Sequence, residues 1–152
     1  MTQTDLTKTE ARKTWMSLLA KSPACELERL WGAFDGAEPH TWLRMPEAGG
    51  VMVRGRTGAT GAPFNMGEMT VTRCSLKLPG GEIGHGYVQG RDKAHATRAA
   101  LVDAHMQTTK ASALRRAVLD PLEKVLADAK ATRAAKAAAT KVDFFTMARG
   151  ED

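Results

Sequence analysis

The sequence predicts an α+β domain, in which an antiparallel meander sheet of about four strands has helices before and after it in the chain. Residues 9–34 and 92–140 are rich in helix-forming residues, with apolar side chains recurring every three or four positions. Residues 41–90 instead consist of short strand-like runs separated by glycine-rich turns. Short turns join antiparallel strands, whereas parallel strands need longer crossovers, so we expect an antiparallel sheet.

Two helices are expected before the sheet, separated by the sequence KSP at residues 21–23. The first runs from Thr9 to Ala20. Its buried face consists of Ala11, Trp15, Leu18 and Leu19. Ser22 and Pro23 predict the start of the second helix, because serine is a favourable N-cap and proline fits the first helical turn. The buried side chains of this helix are Leu27, Leu30 and Trp31.

Four strand-like runs follow: TWLRM (41–45), VMVRGR (51–56), MTVTRCSLKL (69–78) and EIGHGYVQG (82–90). PEAGG (46–50) predicts a turn, and TGATGAPFNMG (57–67) predicts an irregular loop. The third run alternates in polarity, so its two faces can be assigned. One face consists of Thr72, Cys74, Leu76 and Leu78. The other carries Arg73 and Lys77, and we expect solvent or a partner to cover it. Ile83, His85 and Tyr87 share one side of the fourth run.

The helical pattern returns after Gly90. Asp92 is a natural N-cap for a helix from Lys93 to about Thr109. The close-packed positions of this helix are Ala96, Ala99, Ala100 and Asp103. Asp120 and Pro121 predict the start of a last helix, which runs into an alanine and lysine segment with little to bury.

Length and composition indicate one domain, residues 1–152, with a basic surface. The net charge of +5 and the pI of about 9.5 favour anionic partners. Cys25 and Cys74 are far apart and form no disulfide framework or zinc motif. No signal-type leader or apolar run of membrane-spanning length is present, so we expect a cytoplasmic protein without a membrane partner.

The most informative polar cluster is Arg91, Asp92 and Lys93, at the predicted junction of a strand and a helix. The N-terminus of a helix attracts anions, and arginine binds phosphate or carboxylate with two parallel hydrogen bonds. Arg91 is therefore either an anion ligand or a solvated cation beside a plain cap, and the sequence leaves both open. For Lys93 we favour the solvated cation.

Other patterns predict no catalytic or metal-binding residue. His40, His85, His95 and His105 include no pair at the i, i+4 spacing of helical metal ligands. Gly84, Gly86 and Gly90 nearly match a phosphate-binding loop but lie within a strand, so we expect them to permit a positive φ, a bulge or close contact with another backbone. No motif joins a nucleophile to a base.

A basic stripe near the C-terminus gives a rival function of a different class. It consists of Lys130, Arg133, Lys136 and Lys141. Such a stripe binds phosphate backbones without sequence preference, so a small nucleic-acid-binding protein is the alternative. The few aromatic residues, three Trp, four Phe and one Tyr, give little support to a base-stacking surface.

Nearly the whole chain resembles the G subunit of the carbon–phosphorus lyase core complex, which degrades phosphonates. The shared features in residues 57–107 are a Thr-Gly pair before a phenylalanine, TVTR, GYVQGRDK and ALVDA. RKTWMSLLAKSPACEL (12–27) and KVDFFTMARG (141–150) resemble the two ends of that family. Residues 127–140 depart from it by their alanine and lysine content, and Ala59 stands where we expect a glycine.

The resemblance implies a role in a multi-protein transferase. In this family's reaction, ATP and methylphosphonate give adenine and α-D-ribose 1-methylphosphonate 5-triphosphate. The resemblance implies H, I and J subunits as partners, two copies each, with the L protein needed for activity and catalysis attributed to the I subunit. It implies no cofactor on this chain, while ATP, with Mg²⁺, is a substrate of the complex.

Combined with this resemblance, the residue patterns give two sets of candidate positions. The substrate or interface candidates are Arg73, His85, Arg91, Asp92 and Lys93. Phe144 and Phe145 are expected to dock onto a partner subunit, because two exposed phenylalanines in a polar tail, residues 142–152, would leave an unsupported apolar patch.

Overall fold

The computed structural model describes residues 3–34 and 39–142, which form helices around an antiparallel sheet. The elements in chain order are α1 (Gln3–Lys21), α2 (Ala24–Phe34), β1 (Thr41–Arg56), a 3₁₀ turn (Thr57–Ala59), β2 (Pro63–Lys77), β3 (Ile83–Gln89), α3 (Lys93–His105), α4 (Ala111–Leu114), a π-helical turn (Arg115–Leu119) and α5 (Asp120–Ala139). The predicted α+β class with helices on both sides of the sheet in sequence is confirmed.

The sheet of the described residues has three strands in the order β1-β2-β3, so the prediction of four strands is wrong. TWLRM, PEAGG and VMVRGR form one continuous strand, β1. Its glycines pair with β2, Gly49 opposite Val71 and Gly50 opposite Thr70. A register shift between Arg44 and Glu47 accommodates Pro46, which has no N–H to donate. Cross-strand pairing therefore overrides the turn preference of this segment.

The loop after β1 is also shorter than predicted, because β2 begins at Pro63 rather than near residue 69. Arg56 pairs with Pro63, so the chain reverses over the 3₁₀ turn and the three residues after it. Gly58 and Ala59 have φ values of 56° and 68° at this reversal. Ala59 is the only non-glycine residue with a positive φ among the described residues, at the position where the sequence resemblance predicts glycine.

The core lies between the sheet and the helices, on the predicted face of β2. Cys74, Leu76 and Leu78 are buried there together with Leu19 of α1, and Leu27 and Trp31 of α2. Ser22, predicted as an N-cap, instead donates its hydroxyl to the carbonyl of Leu19 at 2.8 Å. No helix within the described ranges is long and apolar enough to cross a membrane.

The contact of β3 with α3 depends on small residues on both elements, as predicted. Gly84 and Gly86 are buried on the core face of β3. A Cβ atom at Gly84 would lie 1.9 Å from the Ala100 carbonyl oxygen, and one at Gly86 would lie 2.1 Å from that of Ala96. The strand and the helix backbone can approach this closely only because these glycines lack side chains.

The last helical region differs from the prediction at its start. Asp120 does not cap a new helix, because helical structure already begins at Ala111 and continues through the π-helical turn. Leu114, Val118 and Leu119 are buried, so packing against the core fixes this segment. The wider turn lies just before Pro121, whose ring would otherwise clash with the helix backbone. From residue 127 onward, the side chains of α5 are exposed.

Candidate functional site

The corner between β3 and α3 is fixed by Asp92 and Gly90. The Asp92 Oδ1 atom accepts a hydrogen bond from the His95 backbone N–H at 2.9 Å, which confirms the predicted N-cap. Gly90 has a φ of 94°, and its N–H donates to the Thr70 carbonyl at 2.9 Å. The Thr72 hydroxyl donates to the Gly90 carbonyl at 2.7 Å. The corner is therefore rigidly attached to β2.

Arg91 and Lys93 project from this corner into solvent. Arg91 lines an open depression together with Gly50, Glu68 and Thr70. Within residues 3–34 and 39–142, its guanidinium makes no hydrogen bond or ion pair. An arginine in this state beside a helix N-terminus is available to an anionic group.

The second pair of predicted residues, Arg73 and His85, lies on the open face of the sheet. Arg73 Nε donates to Glu47 Oε1 at 3.0 Å, and Arg44 Nε contacts the same oxygen at 3.1 Å. All three side chains are about half exposed, so this cluster adds little to stability. Arg73 thus already has a carboxylate partner, unlike Arg91.

His85 forms a hydroxyl–imidazole pair with Ser75, whose Oγ lies 2.8 Å from His85 Nδ1. Ser75 and His85 are cross-strand partners of β2 and β3. No carboxylate contacts the imidazole ring among the described residues, so the arrangement differs from a catalytic triad. The pair can donate and accept hydrogen bonds at the surface.

An open cleft of about 760 Å³ surrounds this pair. Its polar lining is Arg12, Arg44, Ser75, Glu82, His85 and Gln107. Gln107 Nε2 donates to the carbonyls of Ile83 and Asp103, at 2.8 and 2.9 Å. The cleft therefore brings together residues from α1, β1, β2 and β3 and from the segment just after α3.

Asp103, whose side chain is 0% exposed, holds one wall of the cleft in place. Its Oδ2 accepts from Arg12 Nη2 at 2.7 Å and from the His85 backbone N–H at 2.9 Å. Its Oδ1 accepts from Arg12 Nε at 3.1 Å and from Trp15 Nε1 at 2.8 Å. Arg12 also donates to the Ile83 carbonyl at 2.9 Å. One carboxylate therefore joins α1, α3 and β3.

Neither Arg12 nor Asp103 was predicted as a site residue. The sequence does contain a signal for Asp103, because it is a charged residue on the alanine-rich face of α3. A carboxylate buried on that face needs hydrogen-bond donors from elsewhere in the fold. The sequence does not indicate which donors, since Arg12 lies 91 residues away.

Two further titratable groups are buried outside the cleft. Burial raises the pKa of the Cys74 thiol to about 11, and its Sγ donates to the Ala96 carbonyl at 3.2 Å. Burial lowers the pKa of the His95 imidazole, whose Nε2 lies 3.2 Å from the Leu19 carbonyl. In the described parts of the chain, no three or more His, Cys, Asp or Glu residues are arranged to hold a metal ion.

The predicted residues thus form two separate groups. His85 lies within β3, whereas Arg91 lies six residues later, beyond the end of the strand and the turn at Gly90. Arg73 and His85 belong to the open sheet face, whereas Arg91, Asp92 and Lys93 belong to the corner. Phe144 and Phe145 lie outside the described residues.

Comparison with known proteins identifies the family. The family model described as "Phosphonate metabolism protein PhnG" matches residues 10–150. The chain belongs to the PhnG family. A PhnG relative from Rhizobium meliloti (strain 1021) is 47% identical over 145 residues, covering 93% of this chain and 90% of the relative. That relative is named alpha-D-ribose 1-methylphosphonate 5-triphosphate synthase subunit PhnG. Membership of the PhnG family places the chain in phosphonate metabolism, as the sequence resemblance implied.

Proposed function

We propose that this chain is a subunit of an α-D-ribose 1-methylphosphonate 5-triphosphate synthase. The observation that carries the proposal is the 47% identity, over nearly the full length of both chains, to a relative named as that subunit. In the proposed reaction a phosphonate oxygen of methylphosphonate attacks the anomeric carbon of the ATP ribose. One C–O bond forms, the C–N bond to adenine breaks, and a proton passes from the phosphonate to the adenine.

We assign this chain a supporting role, with bond formation in a partner subunit. Cys74 of β2 carries the strongest potential nucleophile in the sheet, but its thiol is buried and stays protonated at neutral pH, so it is not available for attack. The H, I and J subunits are the proposed partners, two copies each, with the L protein needed for activity. ATP with Mg²⁺ is a substrate of the whole complex, and we assign no cofactor to this chain.

Bacterial growth tests the proposed function. A strain that lacks its own G subunit should grow on methylphosphonate as sole phosphorus source only when this chain is supplied. Growth on inorganic phosphate is the control, since it does not require phosphonate breakdown. If this chain, stably expressed, fails to restore growth on methylphosphonate, the proposal is contradicted.

Arg91 is the residue of the corner for which we propose direct contact with another molecule. It either contacts a neighbouring subunit or binds the triphosphate of the substrate, and Asp92 holds the corner in place for both. Arg91→Ala separates these versions: lost assembly indicates an interface residue, while normal assembly with weaker ATP binding indicates a ligand. Lys93→Ala, which removes the neighbouring cation, should alter neither. Full assembly and full activity of Arg91→Ala would contradict both versions.

The C-terminal tail, residues 142–152, remains a proposed docking segment through Phe144 and Phe145. Deletion of this tail should weaken co-purification with the I subunit. Unchanged co-purification would contradict the proposal.

The rival nucleic-acid function rests on the basic stripe of α5. Lys130, Arg133 and Lys136 are exposed on the part of α5 that extends away from the core. Duplex-binding titrations at several salt concentrations test this function, because each phosphate contact steepens the decrease in log affinity with log salt by about one unit. Lack of duplex binding at low salt would rule it out.

A further inference from the structure

The distal half of the β1–β2 hairpin extends beyond the rest of the sheet. We call residues 50–70 the arm. β1 and β2 pair from Thr41–Lys77 to Arg56–Pro63, but β3 pairs with β2 only between Val71 and Lys77. The arm is therefore a two-stranded ribbon, roughly 20 Å long at the usual rise per residue. None of its residues is buried.

The arm has one apolar face. Val51 pairs with Met69, Val53 with Gly67, and Gly55 with Phe64, so the side chains at these positions point the same way. Met66 occupies the register shift, and its sulfur lies 2.3 Å from where a Cβ atom at Gly55 would be. The apolar face consists of Val51, Val53, Phe64, Met66 and Met69. Phe64 and Met66 are 47% and 65% exposed.

The opposite face of the arm is mostly polar. Its members are Met52, Arg54, Arg56, Asn65 and Glu68. Arg56 donates to the Gly61 carbonyl at 3.1 Å, whereas Arg54 makes no hydrogen bond or ion pair within the described residues. The arm is thus amphipathic, and its apolar face is only partly covered by the described residues: Val51 and Val53 are half-buried, whereas Phe64, Met66 and Met69 are exposed.

An isolated two-stranded ribbon is only marginally stable in water, and a contiguous exposed apolar face is typical of an interaction site. The arm also has two unpaired edges, because β1 is an edge strand and β3 does not reach the distal part of β2. Such edges readily pair with another chain. Flexible methionines adapt to a partner surface at low cost.

We propose that the arm inserts into an apolar groove, rimmed by carboxylates, on another subunit of the synthase. This inference rests on the proposed function, which supplies the other subunit. The chemistry of the groove is inferred from the arm that it would bind. The arm carries two arginines, Arg54 and Arg56, on its opposite face and a single carboxylate, Glu68, so its charge is positive. The whole chain carries a net charge of +5. Charge complementarity therefore favours an acidic partner over a second copy of this basic chain.

Two variants of the full chain, co-expressed with the other synthase subunits, test this proposal. Phe64→Ser with Met66→Ser removes apolar contacts from the apolar face and should weaken binding to the partner about tenfold or more. Met52→Ser makes the same methionine change on the opposite face, at a similarly exposed position, and should change binding less than about twofold. Hydrogen exchange provides a readout that needs no substitution: arm amides should exchange quickly in the wild-type chain alone and slowly in the complex.

Each result supports or overturns a defined statement. If the double variant binds as tightly as wild type and the arm amides stay unprotected in the complex, the docking proposal is wrong, whereas the proposed function stands. If wild type forms no complex with any subunit, the proposed function fails and the docking proposal with it. If the wild-type chain alone dimerises and the double variant is monomeric, a second copy is the occupant and the proposed acidic partner is wrong.

Discussion

Asp103 is the residue on which three elements of the fold depend. Its buried carboxylate accepts hydrogen bonds from Arg12, Trp15 and the His85 backbone. Asp103→Ala leaves a guanidinium, an indole N–H and a backbone N–H without their acceptor. We expect the free energy of unfolding to fall by about 3 kcal/mol, the lower end for a broken buried ion pair, because the Arg12 side chain is partly exposed. Urea denaturation of the full-length chain measures this loss.

The matched control for Asp103 is Asp128→Ala, because Asp128 lies on the exposed part of α5. This change should alter the free energy of unfolding by less than about 0.5 kcal/mol. Equal unfolding midpoints for the two variants would mean that the Asp103 carboxylate does not organise the cleft.

Ala59 is a second residue with a local consequence, because its φ of 68° favours glycine. Ala59→Gly should stabilise the reversal between β1 and β2 by about 1 kcal/mol or less, since the greater freedom of unfolded glycine offsets part of the relieved strain. The Gly61 N–H donates to the Thr57 carbonyl at 2.8 Å across this turn, so slower exchange of the Gly61 amide reports the gain. Ala62→Gly, at a position without positive φ, should speed that exchange instead. Faster exchange in Ala59→Gly would contradict the prediction.

His95 gives the fold a dependence on pH. Burial lowers the pKa of the folded imidazole from its ordinary value of 6.5, so the unfolded chain binds a proton more readily. The contribution of His95 to stability is therefore complete above pH 6.5 and is lost as pH falls through 6.5 towards the lower folded pKa. His95→Gln keeps a side-chain N–H near the Leu19 carbonyl but does not titrate. Wild type should lose more stability than this variant between pH 7.5 and pH 5, as measured by urea denaturation; equal losses would refute this role.

At the scale of elements, the β3–α3 contact sets the geometry of the corner. A methyl group at Gly84 would overlap the Ala100 carbonyl, and the neighbouring backbone cannot move as a flexible side chain could. Gly84→Ala should lower the free energy of unfolding by about 2–3 kcal/mol. Gly49→Ala is the control, because nothing lies within 4 Å of the added methyl group. Thermal unfolding compares the two variants. If Gly84→Ala does not lower the unfolding temperature more than Gly49→Ala, α3 must lie farther from β3.

The helices and the two faces of β2 could be predicted because their signals are local. Apolar side chains recur with helical spacing, and Thr72, Cys74 and Leu76 alternate with polar neighbours. The continuity of β1 could not be predicted, since PEAGG reads locally as a turn and becomes a strand only by pairing with β2. The predicted start of the last helical region was wrong because it, too, depends on contacts distant in sequence. The core packing of Leu114 and Val118 outweighs the local cap signal at Asp120.

At the scale of the whole molecule, the candidate site could be predicted only in part. The Asp92 cap follows from sequence because it involves neighbouring residues. The Ser75–His85 pair depends on strand register, and the Arg12–Asp103 pair depends on the packing of α1 against α3. The arm became visible only when the register showed where β3 ends.

Omission of this chain from a reconstituted synthase tests the central claim most directly. Purified subunits are supplied with Mg²⁺-ATP and methylphosphonate, and released adenine is measured by chromatography. We predict adenine release by the complete set, background release when only this chain is left out, and none from this chain alone. Undiminished release without this chain, or turnover by the chain alone, would contradict its role as a supporting subunit.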